Sequence, residues 1–270
     1  MTKIAVVTTF HEKGLKTYAQ NMIDTFCKNW PKEITLYVYP EKCNPRVPDH
    51  NQIILTDLDS VKELTNFKER WKDVPKANGD VSNDPVRSTR KDAGKGFKWD
   101  AVRFAHKVYA IFDCARNTDA DILIWMDADN VCHSPISLDT VKKFCPNNID
   151  LGFLGREGKY TECGLYSMNL RSENVQAFLR EFQRMYDDAD SGIFTLAEWH
   201  DSFVFDVVRN KFRGRLKELN WSAGIISGEG HPLINSEWGA YLDHLKGNRK
   251  ELGRSKDKDL KIKRTEAYWR

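Results

Sequence analysis

The sequence predicts an α/β fold in which a central, mostly parallel mixed sheet is flanked by helices. The first 40 or so residues carry apolar patterns typical of a strand, a helix and a second strand, in that order. Such an opening implies two parallel strands joined by a right-handed crossover. A further buried strand, residues 121–126, ends abruptly in two carboxylates. More strands and helices alternate beyond it, which is typical of α/β domains that bind ligands at the carboxyl ends of their strands.

The opening unit comprises a buried strand over residues 3–10, a helix over residues 14–30 and a strand over residues 34–39. The helix carries a stripe of apolar side chains at helical spacing, namely Leu15, Tyr18, Met22, Ile23 and Phe26. Residues 8–14, which follow the first strand, contain only one glycine. P-loop and Rossmann proteins require a glycine-rich phosphate loop at this point. The sequence therefore disfavours both.

The next stretch is less regular. The pattern of residues 57–72 predicts a helix, whereas residues 74–96 are rich in Pro, Gly, Asn, Asp and Lys. Long irregular loops in compact domains are often lids or binding loops, so residues 74–96 are predicted to border the site. The following helix, residues 97–116, has one apolar face, and Asp100 is its predicted N-cap.

One of five D-x-D matches stands out because of the strand that precedes it. The matches are Asp57/Asp59, Asp119/Asp121, Asp127/Asp129, Asp188/Asp190 and Asp257/Asp259. Only Asp127 and Asp129 directly follow a long apolar strand, and side chains two residues apart share one face of an extended chain. Two hard oxygen ligands at such a point suit Mg²⁺ or Mn²⁺ with a bound diphosphate. A solvated strand end is the alternative that this motif alone leaves open.

The second half continues the alternation of strands and helices. The predicted elements are strands over residues 150–154 and 164–170 with a loop over residues 155–163 between them, and helices over residues 173–186 and 202–209. No repeat and no low-complexity tract interrupts them.

Composition describes an ordinary soluble globular protein, with 40% hydrophobic and 30% charged residues. No apolar stretch approaches the ~20 residues that a membrane helix needs, and the first strand begins too early to leave room for a signal peptide. The six cysteines form no C-x-x-C pair, so neither a zinc cage nor a disulfide framework is predicted. Reduced thiols in a cytoplasm are the simplest interpretation.

Charge is unevenly distributed along the chain. Residues 246–270 contain ten Lys or Arg and four acids, whereas the whole chain has a net charge of +3. A basic segment of this kind can bind phosphate, nucleic acid or an anionic surface. A solvated, partly mobile tail is the alternative.

A second motif complements the aspartates about 115 residues later. His244, Gly247 and Lys250 fit the pattern H-x-x-G-x-x-K. An imidazole can complete an ion site that already holds carboxylates. Glycine allows the backbone to approach a phosphate closely, and lysine neutralises a diphosphate as a point charge. The two motifs together predict a site for a metal ion and a diphosphate.

With these two motifs the chain resembles the GT-A glycosyltransferases, and more narrowly the glycogenin-like and galactosyltransferase group. The resemblance implies a single domain of the GT-A (Rossmann-like) fold, a UDP-sugar as donor substrate and Mn²⁺ or Mg²⁺ as cofactor. It implies a catalytic domain over residues 1–250, with a nucleotide-sugar-binding half (1–135) and an acceptor-side half (136–250). Residues 251–270 would form a basic C-terminal tail.

The resemblance also implies roles for the residues of the two motifs. Asp127, Asp129 and His244 would coordinate the metal ion, and Asp127 would also lie near the ribose. Gly247 and Lys250 would hold the β-phosphate. The proline that usually follows this lysine is missing, since the next residue here is a glutamate.

Further donor contacts are implied outside the motifs. Thr8, Thr9 and Phe10, at the end of the first strand, would line the nucleoside pocket. Arg103, on the helix before the metal-binding strand, is similar to the family's basic residue near the donor.

Asp201 is the candidate catalytic residue. The family has an Asp-Gln pair that contacts the transferred sugar, and here the matching stretch is Asp201-Ser202. The missing glutamine leaves the stereochemical outcome open. In an inverting reaction Asp201 would be the general base for the acceptor hydroxyl. In a retaining reaction it would bind the sugar or stabilise positive charge at the anomeric carbon. An N-cap of the following helix is the structural alternative.

Other functions compete with this interpretation. A sugar-phosphate nucleotidyltransferase would need a glycine-rich, arginine-containing loop after the first strand, which residues 8–14 lack. A non-enzymatic carbohydrate- or nucleotide-binding protein is a further alternative. The acceptor is unknown: saccharide, lipid, protein and modified nucleic acid bases, as in phage-type DNA, all remain open. The sequence does not indicate the oligomeric state.

Overall fold

The structure is a computed structural model that describes residues 2–48, 52–225 and 231–270. Its centre is a seven-stranded sheet with the strand order β3-β2-β1-β4-β7-β6-β8, beside a two-stranded sheet of β5 and β9. The strands are β1 (Ile4–His11), β2 (Thr35–Glu41), β3 (Ile53–Leu55), β4 (Ile122–Met126), β5 (Asn130–Cys132), β6 (Leu151–Arg156), β7 (Lys159–Asn169), β8 (Glu218–Asn220) and β9 (Leu242–His244).

Strand direction agrees with the predicted fold class. β3, β2, β1 and β4 pair in parallel, β7 is antiparallel to both of its neighbours, and β8 is parallel to β6. One antiparallel strand within an otherwise parallel sheet makes the sheet mixed. The predicted α/β fold with a central, mostly parallel mixed sheet is confirmed.

Helices cover both faces of the large sheet. They are α1 (Glu12–Gly14), α2 (Gln20–Asn29), α3 (Lys62–Trp71), α4 (Ala101–Asn117), α5 (Leu138–Phe144), α6 (Glu173–Asp187), α7 (Asp201–Lys211), α8 (Pro232–Asn235) and α9 (Arg249–Leu252). A π-helical segment, Leu15–Ala19, joins α1 to α2. Asp100 caps α4 as predicted, because its carboxylate accepts a hydrogen bond from the backbone N–H of Arg103. None of the helices in these ranges is both long enough and apolar enough to cross a membrane.

Alternating side chains of the central strands build two hydrophobic cores. Val7 and Trp125 point to the face covered by α3, α4, α6 and α7, whereas Val6 and Ile124 point to the face covered by α2. Strand side chains alternate between the two faces of a sheet, so β1 and β4 supply both cores. Burying each such large side chain contributes about 1.5–3 kcal/mol. The carboxyl ends of β1 and β4 are thereby fixed next to each other. All six cysteines are free thiols.

The predicted loop over residues 155–163 is wrong, since most of it is a β-hairpin. β6 runs to Arg156 and β7 starts at Lys159, so that only two residues form the turn. Gly158 has φ +68°, a left-handed conformation that glycine adopts at no steric cost and that tight hairpins need. The hairpin tip faces solvent and is therefore polar, and this composition is also typical of a loop.

Residues 74–96 are irregular, as predicted, but they are tied to the domain. A short 3₁₀ helix, Pro75–Asn78, lies at their start. Arg90 and Lys98 both contact Oε1 of the buried Glu198, at 3.1 and 2.8 Å. Glu198 is 2% exposed, so these ion pairs connect the segment to the residues that precede α7.

The basic C-terminal segment, residues 251–270, packs against the domain. Ser255 donates from its backbone N–H and its hydroxyl to the fully buried Asp243. The Tyr268 hydroxyl donates to the same carboxylate at 2.9 Å, and Trp269 is buried. These contacts dock the segment onto the domain. The alternative of a solvated, partly mobile tail, which the sequence left open, is therefore wrong.

Acidification is expected to weaken this docking through His133. The imidazole stacks on Tyr268 with centroids 4.1 Å apart, and burial lowers the pKa of His133 to about 4. The unfolded chain takes up a proton near pH 6.5, so stability is full above that pH and is lost as the pH falls towards 4. The slope for one proton is at most about 1.4 kcal/mol per pH unit. Urea unfolding at pH 7, 6 and 5 should show it.

The His133→Gln variant is the control for this prediction. Its stability should depend less steeply on pH than that of the wild type. Some slope should remain, because burial also lowers the pKa of His231 to about 4. An unchanged slope in the variant would contradict the assignment to His133.

Candidate active site

The two aspartates of the predicted metal site follow β4 at the carboxyl edge of the sheet. Asp127 donates its backbone N–H to the Gly164 carbonyl of β7 at 2.9 Å. The Asp129 carbonyl accepts the backbone N–H of Leu245 at 2.9 Å. Both carboxylates remain partly exposed, with side-chain exposures of 29% and 13%. The chain thus leaves the sheet in a turn that keeps both carboxylates facing a cleft.

The two-stranded sheet brings the second motif to the first. Asn130 of β5 lies directly opposite His244 of β9. The His244 Nε2 atom lies 3.1 Å from Asp129 Oδ1 and 3.5 Å from Asp127 Oδ2. One ligand atom from each of these three side chains lies within 4.8 Å of the others. The predicted ligands therefore converge.

A carboxylate also lies near the other side of the His244 ring. Its Nδ1 atom lies 3.4 Å from Glu162 Oε1, and the other Glu162 oxygen pairs with Lys246. Metal-binding histidines usually donate their second ring N–H to a carboxylate or carbonyl, and Glu162 is the carboxylate near this nitrogen. A Cβ at Gly164 would overlap the imidazole ring, so glycine is required there. Sequence inspection did not indicate the roles of Glu162 or Gly164.

The donor set fits a hard divalent cation. Burial lowers the pKa of His244, but the Asp129 and Asp127 carboxylates outweigh burial and the net pKa is raised. Burial would raise the pKa of Asp129, yet His244 and Lys250 hold it below its usual range. Asp129 is therefore ionised at neutral pH and can act as a ligand. Two carboxylate oxygens and an imidazole nitrogen suit Mn²⁺, or Mg²⁺ with added waters.

Lys250 lies beside the carboxylates as the second motif predicts. Its Nζ atom is 2.8 Å from Asp129 Oδ2 and 4.5 Å from the centre of the Tyr18 ring. Gly247 has φ +58°, a conformation that side chains other than glycine rarely adopt. This turn directs the chain from His244 into α9, which carries Lys250.

Lys107 of α4 is a buried cation that the sequence analysis missed. Its Nζ atom lies 3.1 Å from Asp127 Oδ1 and 2.6 Å from Asp201 Oδ2. The ammonium group also lies 4.7 Å from the centre of the Trp125 ring. Burial lowers the pKa of Lys107, but Asp127 and Asp201 raise it more, so that it stays protonated. Lys107 lies one helical turn after Arg103 on α4. This spacing on one face of the helix is the sequence feature that could have indicated its role.

Asp201 is the first residue of α7 and does not cap it. The cap is His200, whose side chain accepts from the backbone N–H of Phe203, so the N-cap alternative for Asp201 is wrong. Burial would raise the pKa of Asp201, but Lys107 keeps it below the usual value. Asp201 is 8% exposed, and it is linked to Asp127 through the Lys107 ammonium group.

A cleft of about 200 Å³ extends from the aspartates along the end of β1. Thr9, Phe10 and Arg103 line it together with Asp127, Asp129 and Lys250. Thr8 differs from the other predicted residues, since it is fully buried and its hydroxyl has no hydrogen-bond partner in the described part of the chain. The side chain at residue 8 points into the core because successive strand residues face opposite sides.

A second and larger cavity adjoins the first. Its volume is about 1160 Å³, and its walls include Asp201, Lys246 and Gly247. Arg103 and Phe104 line both cavities, so they mark the boundary between them. Asp201 therefore faces the larger cavity, whereas the two predicted metal-binding aspartates face the smaller one.

The chain is similar to solved structures of low sequence identity. No protein-family model matches the chain, and no curated protein matches it. Among solved structures it is similar to the apo form of the bifunctional glycosyltransferase WbbM, with 11% identity and a TM-score of 0.46 over 82% of this chain and 39% of that one. It is also similar to apo mouse xyloside xylosyltransferase 1, with 11% identity and a TM-score of 0.43 over 80% and 84% of the two chains. The chain thus spans well under half the length of WbbM, and any functional conclusion depends on the site itself.

Proposed function

We propose that the protein is a metal-dependent glycosyltransferase that moves a sugar from a UDP-sugar to a hydroxyl acceptor. The observation that carries the proposal is the convergence of Asp127, Asp129 and His244 within 4.8 Å, with the Lys250 ammonium group at 2.8 Å from Asp129. Carboxylates and an imidazole beside a cation match what a diphosphate and its counter-ion require.

The proposed reaction exchanges one bond at the anomeric carbon. The bond to the diphosphate oxygen breaks and its electron pair leaves with UDP, while the acceptor oxygen bonds to the carbon and releases its proton. A bound Mn²⁺ or Mg²⁺ would neutralise negative charge on the departing diphosphate. Lys250 and Arg103 add positive charge along the same cleft. Because these groups are in place before the reaction, they can stabilise the leaving diphosphate without rearrangement.

Asp201 is proposed to act on the sugar through its charge. The Lys107 ammonium group holds its pKa below the usual value, which makes it a weak base at neutral pH. A general base works best when its pKa lies near the operating pH. Stabilising positive charge at the anomeric carbon or binding the sugar hydroxyls suits such a carboxylate better than removing a proton.

Thermal-shift measurements test the donor assignment. UDP with Mn²⁺ at about 100 times its Kd should stabilise the protein by about 2.7 kcal/mol, which is roughly 5–10 °C for a domain of this size. UDP with EDTA should give a clearly smaller shift, and slow Mn²⁺-dependent release of UDP from a UDP-sugar should accompany binding. Equal shifts with and without Mn²⁺, or none with any nucleotide, would contradict the proposal.

A further inference from the structure

The tip of the β6–β7 hairpin carries two cations side by side. Arg156 is the cross-strand partner of Lys159. Both side chains line the large cavity and also a neighbouring cavity of about 610 Å³. The hairpin tip therefore brings positive charge to the walls of both cavities.

Arg156 keeps part of its guanidinium available to a ligand. Its Nε–H donates to the Tyr160 carbonyl at 2.7 Å, and its two terminal nitrogens form no hydrogen bond with another described residue. Within residues 2–48, 52–225 and 231–270, no carboxylate lies within ion-pair distance of Arg156. The side chain is only partly exposed, and a partly buried charge without a partner is unfavourable. A guanidinium is suited to bind a carboxylate or a phosphate with two parallel hydrogen bonds.

The cavity beside Arg156 also offers apolar ring faces. Phe97 is 48% exposed, and Tyr160 and Phe104 lie near the His200 ring, with centroids 5.1 and 6.1 Å from it. All four rings line the cavity of about 1160 Å³. Aromatic faces combined with a polar edge suit the apolar face of a sugar ring.

The charges of this cavity have one dominant sign. The cations Lys98, Arg103, Arg156, Lys159 and Lys246 line it, whereas Asp201 is the acid among its lining residues. Glu198 and Glu162 balance Lys98 and Lys246 from behind the wall. Arg156 faces the cavity and has no ion-pair partner among the described residues, although the Asp206 carboxylate attracts it from a greater distance.

We propose that this cavity is the acceptor site and that it selects a saccharide bearing an anionic group, a carboxylate or a phosphate, which Arg156 binds. Its location on the acceptor side of Asp201 rests on the proposed function, whereas the anion site itself does not. The cations that line this cavity lie around a single space. A single charged sugar fits this distribution better than a nucleic acid, which needs a track of phosphate contacts.

Binding of small probes tests the proposal without turnover. Glucuronic acid, glucose 6-phosphate and glucose would be titrated into the protein by ligand-observed NMR, with UDP and Mn²⁺ present to fill the donor cleft. At least one acidic sugar should bind about tenfold more tightly than glucose, since a charge-assisted hydrogen bond contributes enough for that ratio. The two acidic probes distinguish a carboxylate site from a phosphate site.

Matched variants assign the selectivity to the hairpin. Arg156→Gln should reduce the preference for the acidic sugar to near onefold, and Arg156→Lys should retain part of it. Arg213→Gln removes an exposed arginine elsewhere and should leave the preference unchanged. Circular dichroism of each variant checks that it is folded.

The outcomes separate this proposal from the proposed function. If UDP binds but acidic and neutral sugars bind equally, or if Arg156→Gln keeps the wild-type preference, the acceptor proposal is wrong and the donor assignment stands. If acidic sugars bind through Arg156 without any UDP binding, the anion site stands and the transferase assignment falls. A single-stranded oligonucleotide that binds more tightly than either sugar, with steep salt dependence, would overturn the saccharide assignment.

Discussion

Asp129→Asn is expected to reduce kcat for donor turnover by about 100-fold or more while the protein stays folded. The substitution removes one ligand charge and the partner of both Lys250 and His244, at 2.8 and 3.1 Å. A bound metal ion contributes several kcal/mol of charge stabilisation, and each 1.36 kcal/mol changes the rate tenfold. Release of UDP at saturating donor and Mn²⁺ measures the effect, and circular dichroism checks the fold.

Another D-x-D match in the chain provides a matched control. Asp119 belongs to such a pair, but it forms a surface ion pair with Lys3 and its side chain is 77% exposed. Asp119→Asn should leave kcat unchanged, because exposed ion pairs contribute little. Full activity of Asp129→Asn, or an equal loss in both variants, would show that the metal site has been misassigned.

Lys107→Met is expected to lower both the stability and the activity of the protein. The ammonium group lies between the Asp127 and Asp201 carboxylates, at 3.1 and 2.6 Å, and Lys107 is 8% exposed. Removing one partner of a buried ion pair costs about 3–5 kcal/mol, because the remaining charge is left uncompensated. Urea unfolding at pH 7 should show a loss of this order, and donor turnover should fall because Asp201 loses its position.

A second substitution separates the two effects. Asp201→Asn removes one of the uncompensated charges, so Lys107→Met combined with Asp201→Asn should be more stable than Lys107→Met alone. Activity should not return, since the carboxylate proposed to act on the sugar is absent. Strictly additive stability losses in the double-mutant cycle would contradict the direct coupling of Lys107 and Asp201.

Sequence patterns predicted those strands and helices that are encoded by a local run of apolar residues. Apolar runs identified β1, β2 and β4, and the single D-x-D pair that follows a long strand does lie at the carboxyl edge of the sheet. The convergence of His244 with Asp127 and Asp129 was predicted from two motifs and a family resemblance. Periodicity alone could not have placed residues so distant in the chain next to each other.

Features that depend on tertiary contacts were not predicted. Lys107 looked like one more lysine on a helix, because its function depends on two carboxylates that approach it from Asp127 and Asp201. The β6–β7 hairpin looked like a loop, since its polar tip hides a two-residue turn. Thr8 was grouped with its neighbours although strand alternation turns its side chain into the core.

The pairing of β5 with β9 has a consequence for how the site forms during folding. Residue 130 lies opposite residue 244, so a very long loop must close before His244 meets the aspartates, and such non-local pairings form slowly. A cation that requires Asp127, Asp129 and His244 together would bind the native chain. It would hardly bind a partly folded chain, in which His244 has not yet reached the aspartates. Manganese uptake would consequently follow the last steps of refolding, and chelation would weaken the whole domain instead of one loop.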